Sequence, residues 1–290
     1  MLEAARRIER AGRADSPVLI WGEDGTGKKL VAETIHRRSR RADAPLVVLA
    51  TEKCRGQSAE DELFGTAEQP GRLAAAAGGT LLIDEITGLS PTGQAKLLDA
   101  AEGRYLAELQ DSAGQSIDSR LMVTTRHEIA ESVKRGALRE DLYYRLAVVT
   151  IRIPPLRQRK EDIPGLVEQM LNEICAAGDR PVPAVAPELM QYLIERPWHG
   201  NGQELRDCLD AILAEGDADV LTMNQLPPWA HRGGGPGNAN QERQIDTLAE
   251  LERAAVMQAL KVHQGNRTQA ARTLGISVRT LQRKLRQWHA

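Results

Sequence analysis

Aromatic side chains make up only 3% of the 290 residues, with a single phenylalanine. A core of stacked rings is thereby excluded. With 41% apolar residues, a core of Leu, Ile, Val and Ala is expected, in a chain long enough for two or three modules. Cysteine is scarce: Cys54, Cys175 and Cys208 are far apart, odd in number and never in a CxxC pattern. Reduced cytosolic thiols, not a disulfide framework, are the expectation. The six histidines never reach the i, i+4 spacing of a helical zinc pair. Long apolar runs are missing as well. Val18–Trp21 and Leu81–Ile83 are far too short to span a bilayer, and no signal peptide is seen, so a cytoplasmic protein is expected. A large excess of one charge is also lacking, since the net charge is −2. Any signal for nucleic acid must therefore be local.

What is present is an alternation. Val18–Trp21, Pro45–Leu49, Thr80–Ile83, Leu121–Thr125 and Val148–Ile153 read as strands, separated by helical stretches such as Lys28–Arg38 and Thr92–Glu102. This order predicts an α/β fold, a parallel sheet covered by helices. From Pro155 to about Trp229 the strand signal stops while helical patterns continue (Asp162–Ala177, Pro187–Glu195, Gln203–Glu215), which predicts a small α-helical subdomain. The run from His231 to Asn240, rich in Gly and Asn, reads as a linker. The expected organisation is 1–154 α/β, 155–230 helical lid, 231–245 linker and 246–290 a compact all-α end.

Gly22-Glu23-Asp24-Gly25-Thr26-Gly27-Lys28-Lys29 fits the phosphate-loop pattern GxxxxGK, and it lies after a strand and before a helix, the context the motif requires. Its glycines allow backbone N–H groups to face phosphate oxygens, the helix N-terminus adds its dipole, and Lys28 reaches the terminal phosphates. Lys29 occupies the position that normally offers a hydroxyl to Mg²⁺. Thr80-Leu-Leu-Ile-Asp84-Glu85 is an apolar strand ending in two carboxylates. On a strand beside the loop, Asp84 would hold Mg²⁺ and Glu85 would polarise the attacking water.

These motifs, together with Asp61–Gly65, Leu138–Leu146, Pro154–Ile163, Trp198–Asn201 and Glu204–Arg206, resemble the AAA+ domain of sigma-54-dependent enhancer-binding regulators. The resemblance implies an oligomeric ring that binds ATP between subunits and remodels a promoter-bound RNA polymerase. It also implies that Arg139 and Arg145 act in trans on a neighbour's γ-phosphate; an ordinary surface ion pair is the other reading of these two. Several positions depart from the pattern. The GAFTGA loop that touches the sigma factor is absent, Phe64-Gly65 running through Thr66–Pro70 straight to Gly71-Arg-Leu73. Arg126 replaces the sensor Asn, Gln203 replaces the lid's sensor Arg, and Ala50 stands where an Asn restrains the catalytic Glu. Each lost contact of this kind costs about 10²–10³ in rate, so little or no hydrolysis is expected, while ATP binding, kept by Lys28 and the loop amides, is expected to be weakened and not lost. Met1–Ile8 corresponds to the helix just before the first strand. The family's adenine-enclosing segment and any sensory domain are accordingly expected to be missing.

Between Gln264 and Ala290 the chain carries six basic residues and no acidic one. Apolar positions from Leu248 to Leu260 predict an amphipathic helix, followed by helices starting after Asn266 and at Ser277, with the Gly275-Ile276 turn between them. Near the start of the last helix, Arg279, Thr280, Gln282 and Arg283 would reach base edges in the major groove. Arg267, Thr268, Arg272, Ser277, Lys284 and Arg286 complete the DNA-facing set. The segment closely resembles a Fis-type helix-turn-helix, which implies a dimer on double-stranded DNA. Three functions fit the sequence: a DNA-binding transcription regulator with an impaired nucleotide domain, a working AAA+ ATPase acting on RNA polymerase or a sigma factor, and an architectural DNA-binding protein.

Overall fold

The computed structural model describes residues 2–54, 59–66, 68–102, 118–214, 216 and 218–231, together with Gln269, Ala271, Thr273, Val278, Thr280 and Leu281. The chain divides into two compact units, Met1–Pro236 and Gly237–Ala290.

The first unit is built on a five-stranded parallel sheet, β1 Val18–Trp21, β2 Leu46–Ala50, β3 Thr80–Asp84, β4 Arg120–Thr125 and β5 Val149–Arg152, in the order β2-β3-β4-β1-β5. The strands are short apolar runs because both faces are covered. Side chains alternate across each strand, and the alternation sorts them into two cores. Leu19, Leu81, Ile83, Leu121 and Val123 face one side, where Leu97, Leu138, Leu142 and Leu146 pack. Val18, Ile20, Leu82, Met122 and Ile151 face the other, against Ala11, Ala32 and Ile35. Each fully buried Leu or Ile contributes about 1.5–3 kcal/mol.

The covering helices are α1 Leu2–Arg13, α2 Lys28–Arg37, α3 Ala59–Phe64, α4 Arg72–Ala75, α5 Pro91–Ala101, α6 Ile129–Lys134 and α7 Glu140–Leu146. Between α3 and α4, Gly65 and Pro70 form an antiparallel bridge, and Thr66 and Gln69 exchange backbone hydrogen bonds. A tight turn thus stands where the resembled family has its long loop.

Beyond β5 come α8 Ile163–Ala177, α9 Pro187–Glu195, α10 Asn201–Ala214 and α11 Pro228–His231. Their apolar faces meet in a third core, in which Val167, Leu171, Leu189, Leu193, Leu205 and Leu209 surround the fully buried Trp198. The Trp198 indole N–H is satisfied there by Leu193 O at 2.6 Å. The lid is helical, as the sequence leads one to expect, with one small addition. Two short strands, β6 Ala184–Val185 and β7 Val220–Leu221, pair in parallel. Two residues per strand are too few to leave a readable alternation.

In the second unit, Gln269, Ala271, Thr273, Val278, Thr280 and Leu281 are helical, and Ala271 and Leu281 are buried. Among the described residues, no helix is long and apolar enough to cross a membrane.

Candidate nucleotide site

A parallel sheet gathers its ligand-facing loops at the carboxyl ends of its strands. Here those ends bring together the Gly22–Lys28 loop after β1, Glu52 after β2, Asp84 and Glu85 at β3, and Arg126 after β4. Of these, Asp24–Lys28, Glu52, Asp84 and Glu85 line a cavity of about 560 Å³, together with Ile8, Leu30, Ile153, Leu166 and Met170. That volume is in the range of small-molecule sites.

Gly22 N–H donates to Thr125 O, which anchors the loop to β4, and a Cβ at Gly22 would lie 2.6 Å from Ile153 O. Gly25 and Gly27 have φ of 73° and 93°, the left-handed region that favours glycine. Gly27 caps α2 without a side-chain acceptor, so the first N–H groups of the helix remain available to an anion. Thr26 Oγ1 donates to Glu23 O at 2.7 Å. The Lys28 ammonium, largely buried, donates to Gly22 O at 2.8 Å and Glu23 O at 3.1 Å, and lies 3.5 Å from Asp24 Oδ1. Lys29 lies 4.0 Å from Glu33 along the helix.

The two carboxylates of β3 differ in their surroundings. Asp84 accepts from Thr124 Oγ1 at 2.6 Å and lines the cavity. Glu85 has φ 63° and a buried carboxylate that accepts from three groups. Thr87 Oγ1 (2.5 Å) and Thr125 Oγ1 (2.9 Å) donate to its Oε1, and the Arg126 amide donates to Oε2 (2.9 Å). Ala50 brings no polar side chain to this grip; hydroxyls from other elements supply it.

The lid side holds the phosphate loop through contacts that the sequence did not single out. Arg157 pairs with both oxygens of Glu23 at 2.7 and 2.6 Å. This hydrogen bonding holds the Glu23 carboxyl below its ordinary 4.5, with burial opposing and Asn201 assisting. Arg159 donates to Thr26 O at 3.1 Å. Asn201, fully buried with φ 55°, donates to Asp24 O at 2.8 Å and accepts from Leu156 N–H. Gly202 N–H donates to Gly25 O, and a Cβ on Gly25 would lie 2.1 Å from Gly200 O. Gln203 lines the cavity but donates to Asp207, and Arg206, also lining it, pairs with Glu173 at 2.9 Å. In an Arg-Gln-Arg run, cationic side chains at 157 and 159 read as a solvated stretch; only the return of the chain to the loop reveals them.

Arg139 pairs with Asp141 at 2.7 Å and Arg145 donates to Ala101 O at 2.7 Å. Neither lines the nucleotide-sized cavity of its own chain. Of the DNA-facing candidates, Thr280 is described and half-buried. Arg267, Thr268, Arg272, Ser277, Arg279, Gln282, Arg283, Lys284 and Arg286 lie outside the described residues, as does the 232–245 part of the expected linker.

Three family profiles match the chain: "Sigma-54 interaction domain" over residues 1–152, "AAA+ ATPase lid domain" over 157–243, and "Bacterial regulatory protein, Fis family" over 247–288. Transcriptional regulatory protein ZraR of Klebsiella oxytoca is 38% identical over 282 residues, which is 94% of this chain and 63% of that protein. Response regulator protein PilR of Pseudomonas aeruginosa is 33% identical over 295 residues, 97% of this chain and 66% of that protein. The crystal structure of NtrX from Brucella abortus in complex with ATP has a TM-score of 0.72 at 30% identity, covering 99% of this chain and 67% of that one. The chain thus spans 63% to 66% of the length of these curated relatives. The phosphate loop, the parallel sheet and the helical lid agree with these matches, and the chain belongs to the sigma-54 interaction domain family of AAA+ regulators, with a Fis-type helix-turn-helix in its C-terminal part.

Proposed function

We propose that this chain is a DNA-binding transcription regulator whose AAA+ domain binds ATP and hydrolyses it slowly, without engaging sigma-54 through the family's usual loop. The observation that carries this reading is the grip on Glu85: three donors occupy the carboxylate that would polarise water. A carboxylate so held must give up charge-assisted hydrogen bonds before it can act as a base. Gln203, bonded to Asp207, adds no cation at the lid position where the family has its sensor Arg. The Gly65–Pro70 bridge closes a tight turn in the place of the sigma-contacting loop.

Nucleotide fits the cavity on this chain's own groups. The α2 N-terminus and the loop amides face phosphate, Lys28 exchanges its carbonyl acceptors for phosphate oxygens, and Ile8, Ile153, Leu166 and Met170 offer an apolar wall to a base. Asp84 is the carboxylate that would hold Mg²⁺ alongside phosphate oxygens, and the ion would supply charge neutralisation there. Lys29 in place of a hydroxyl removes one ligand, so metal and nucleotide are held more weakly than in a Ser or Thr loop. Arg139 and Arg145 are assigned to a neighbour's nucleotide in a homo-oligomeric ring, and the helix-turn-helix to a dimer on double-stranded DNA. The second reading, an active ATPase that remodels RNA polymerase, is favoured by the retained Lys28, Asp84 and Glu85.

The DNA-binding half is tested by anisotropy titration of the full chain across salt, on a duplex selected from a random pool. If each copy neutralises about four phosphates, log K should fall against log salt with a slope of about −7 for a dimer. A slope shallower than about −2 contradicts the phosphate roles given to the basic residues.

A further inference from the structure

At the amino ends of the sheet strands, opposite the nucleotide cavity, one charge is concentrated a second time. α1 leads into β1 and α2 into the loop before β2, so both helices end at this edge. They pack against each other there: a Cβ on Gly12 would lie 3.0 Å from Arg38 Cβ. Arg41, just beyond α2, pairs with Asp15, just beyond α1, at 2.7 Å, and Asp15 also lies in the field of Arg40. Arg6, Arg10 and Arg13 share one face of α1 by their spacing, and Arg37 and Arg38 close α2. Glu9 compensates Arg13, and Asp15 and Asp118 compensate Arg41. Arg6, Arg10, Arg37, Arg38 and Arg40 are exposed and form no ion pair among the described residues. Set against Asp43 in the loop before β2, these five leave a surplus of four positive charges, in a chain whose net charge is −2. Helix dipoles favour a cation or two at each carboxyl end, which accounts neither for Arg6 in the middle of α1 nor for Arg40 beyond α2.

We infer that this arginine surface binds the DNA phosphate backbone beside the segment held by the helix-turn-helix, without reading base sequence. The inference goes beyond the function proposed above and needs no nucleotide. Every basic residue in the stretches 6–13 and 37–41 is arginine, the cation whose planar fork matches phosphate oxygens. A surplus of one sign on an exposed surface fits a polyanion. DNA is the polyanion that the chain itself brings, because its Fis-family match over 247–288 keeps a bound duplex at high local concentration.

The test is anisotropy titration of the full chain across salt on two duplexes that share one selected site. One spans about two helical turns, and the other is extended to about six by random flanks. A triple variant, Arg37→Gln, Arg38→Gln and Arg40→Gln, should weaken the longer duplex about ten-fold while moving the shorter one less than about two-fold. The slope of log K against log salt on the longer duplex should become shallower by about 2–3 per chain, since each lost phosphate contact removes about 0.9. Arg6→Gln with Arg10→Gln, on the other helix, should shift the same slope by about 2. Variants that match wild type on the longer duplex overturn the inference, the outcome expected if the surface serves an acidic protein instead. A loss shared equally by both duplexes also overturns it, because it marks damage to the helix-turn-helix or to folding. In either case wild-type binding to the short duplex leaves the DNA-binding reading standing, whereas wild type that binds neither duplex overturns both. Should the triple variant fail to fold, the Arg6 and Arg10 pair decides by the same slopes.

Discussion

At Glu85, a side chain placed to activate water is also one of the most heavily hydrogen-bonded carboxylates in the site. Thr87 donates to it from two residues away and Thr125 from the neighbouring strand. Replacing Thr87 by Val removes one donor, and ATP turnover should rise about ten-fold as the carboxylate loosens; unchanged or lower turnover in a coupled ADP-release assay would count against the restraint. Glu23 carries a second residue-scale consequence. Its folded pKa lies below 4.5 because Arg157 favours the charged form. Its contribution to stability is therefore present above about pH 4.5 and is lost as pH falls through the lowered value. The gap in urea midpoint between wild type and Glu23→Gln should be constant at neutral pH and close in acid. The corresponding difference in unfolding free energy should amount to at most about 1 kcal/mol, because both side chains of the pair are more than a third exposed. Burial and the nearby Glu62 push the Cys54 thiol up to about 11, so it stays protonated at neutral pH.

The elements differ in how plainly the sequence announces them. The five strands of the sheet are legible because each is a short apolar run bounded by turn residues; β1, β3 and β4 are buried on both faces, and the edge strands β2 and β5 only partly. The phosphate loop is legible from its glycine and lysine spacing between a strand and a helix. The β6–β7 pair is not, and neither is the lid's hold on the loop: Arg157, Arg159 and Asn201 act across more than a hundred residues of sequence. Nor does a pattern announce the buried Arg196–Glu204 pair at 3.0 Å, which joins the end of α9 to α10 with the guanidinium over the Trp198 ring. Removing one partner strands the other charge in the lid core. Glu204→Ala should cost about 3–5 kcal/mol in denaturant unfolding, and a loss under about 1 kcal/mol would show the pair to be dispensable.

On the scale of the whole molecule, two units carry two tasks. The sheet and lid hold a nucleotide cavity in the first, and the second carries the basic C-terminal segment, whose six cations contrast with a net charge of −2 for the chain. The altered positions are legible only as departures from a family pattern; what replaces the lost contacts, hydroxyls at Glu85 and an Arg126 paired with Glu52, emerges only from the fold. Under the proposed function, ATP is bound while its hydrolysis is restrained. Steady-state turnover of the full chain, with and without DNA and beside Glu85→Gln, tests it most directly. Saturable ATP binding is expected, with turnover close to the Glu85→Gln background; turnover well above that background, abolished by the substitution, would rule the restraint out.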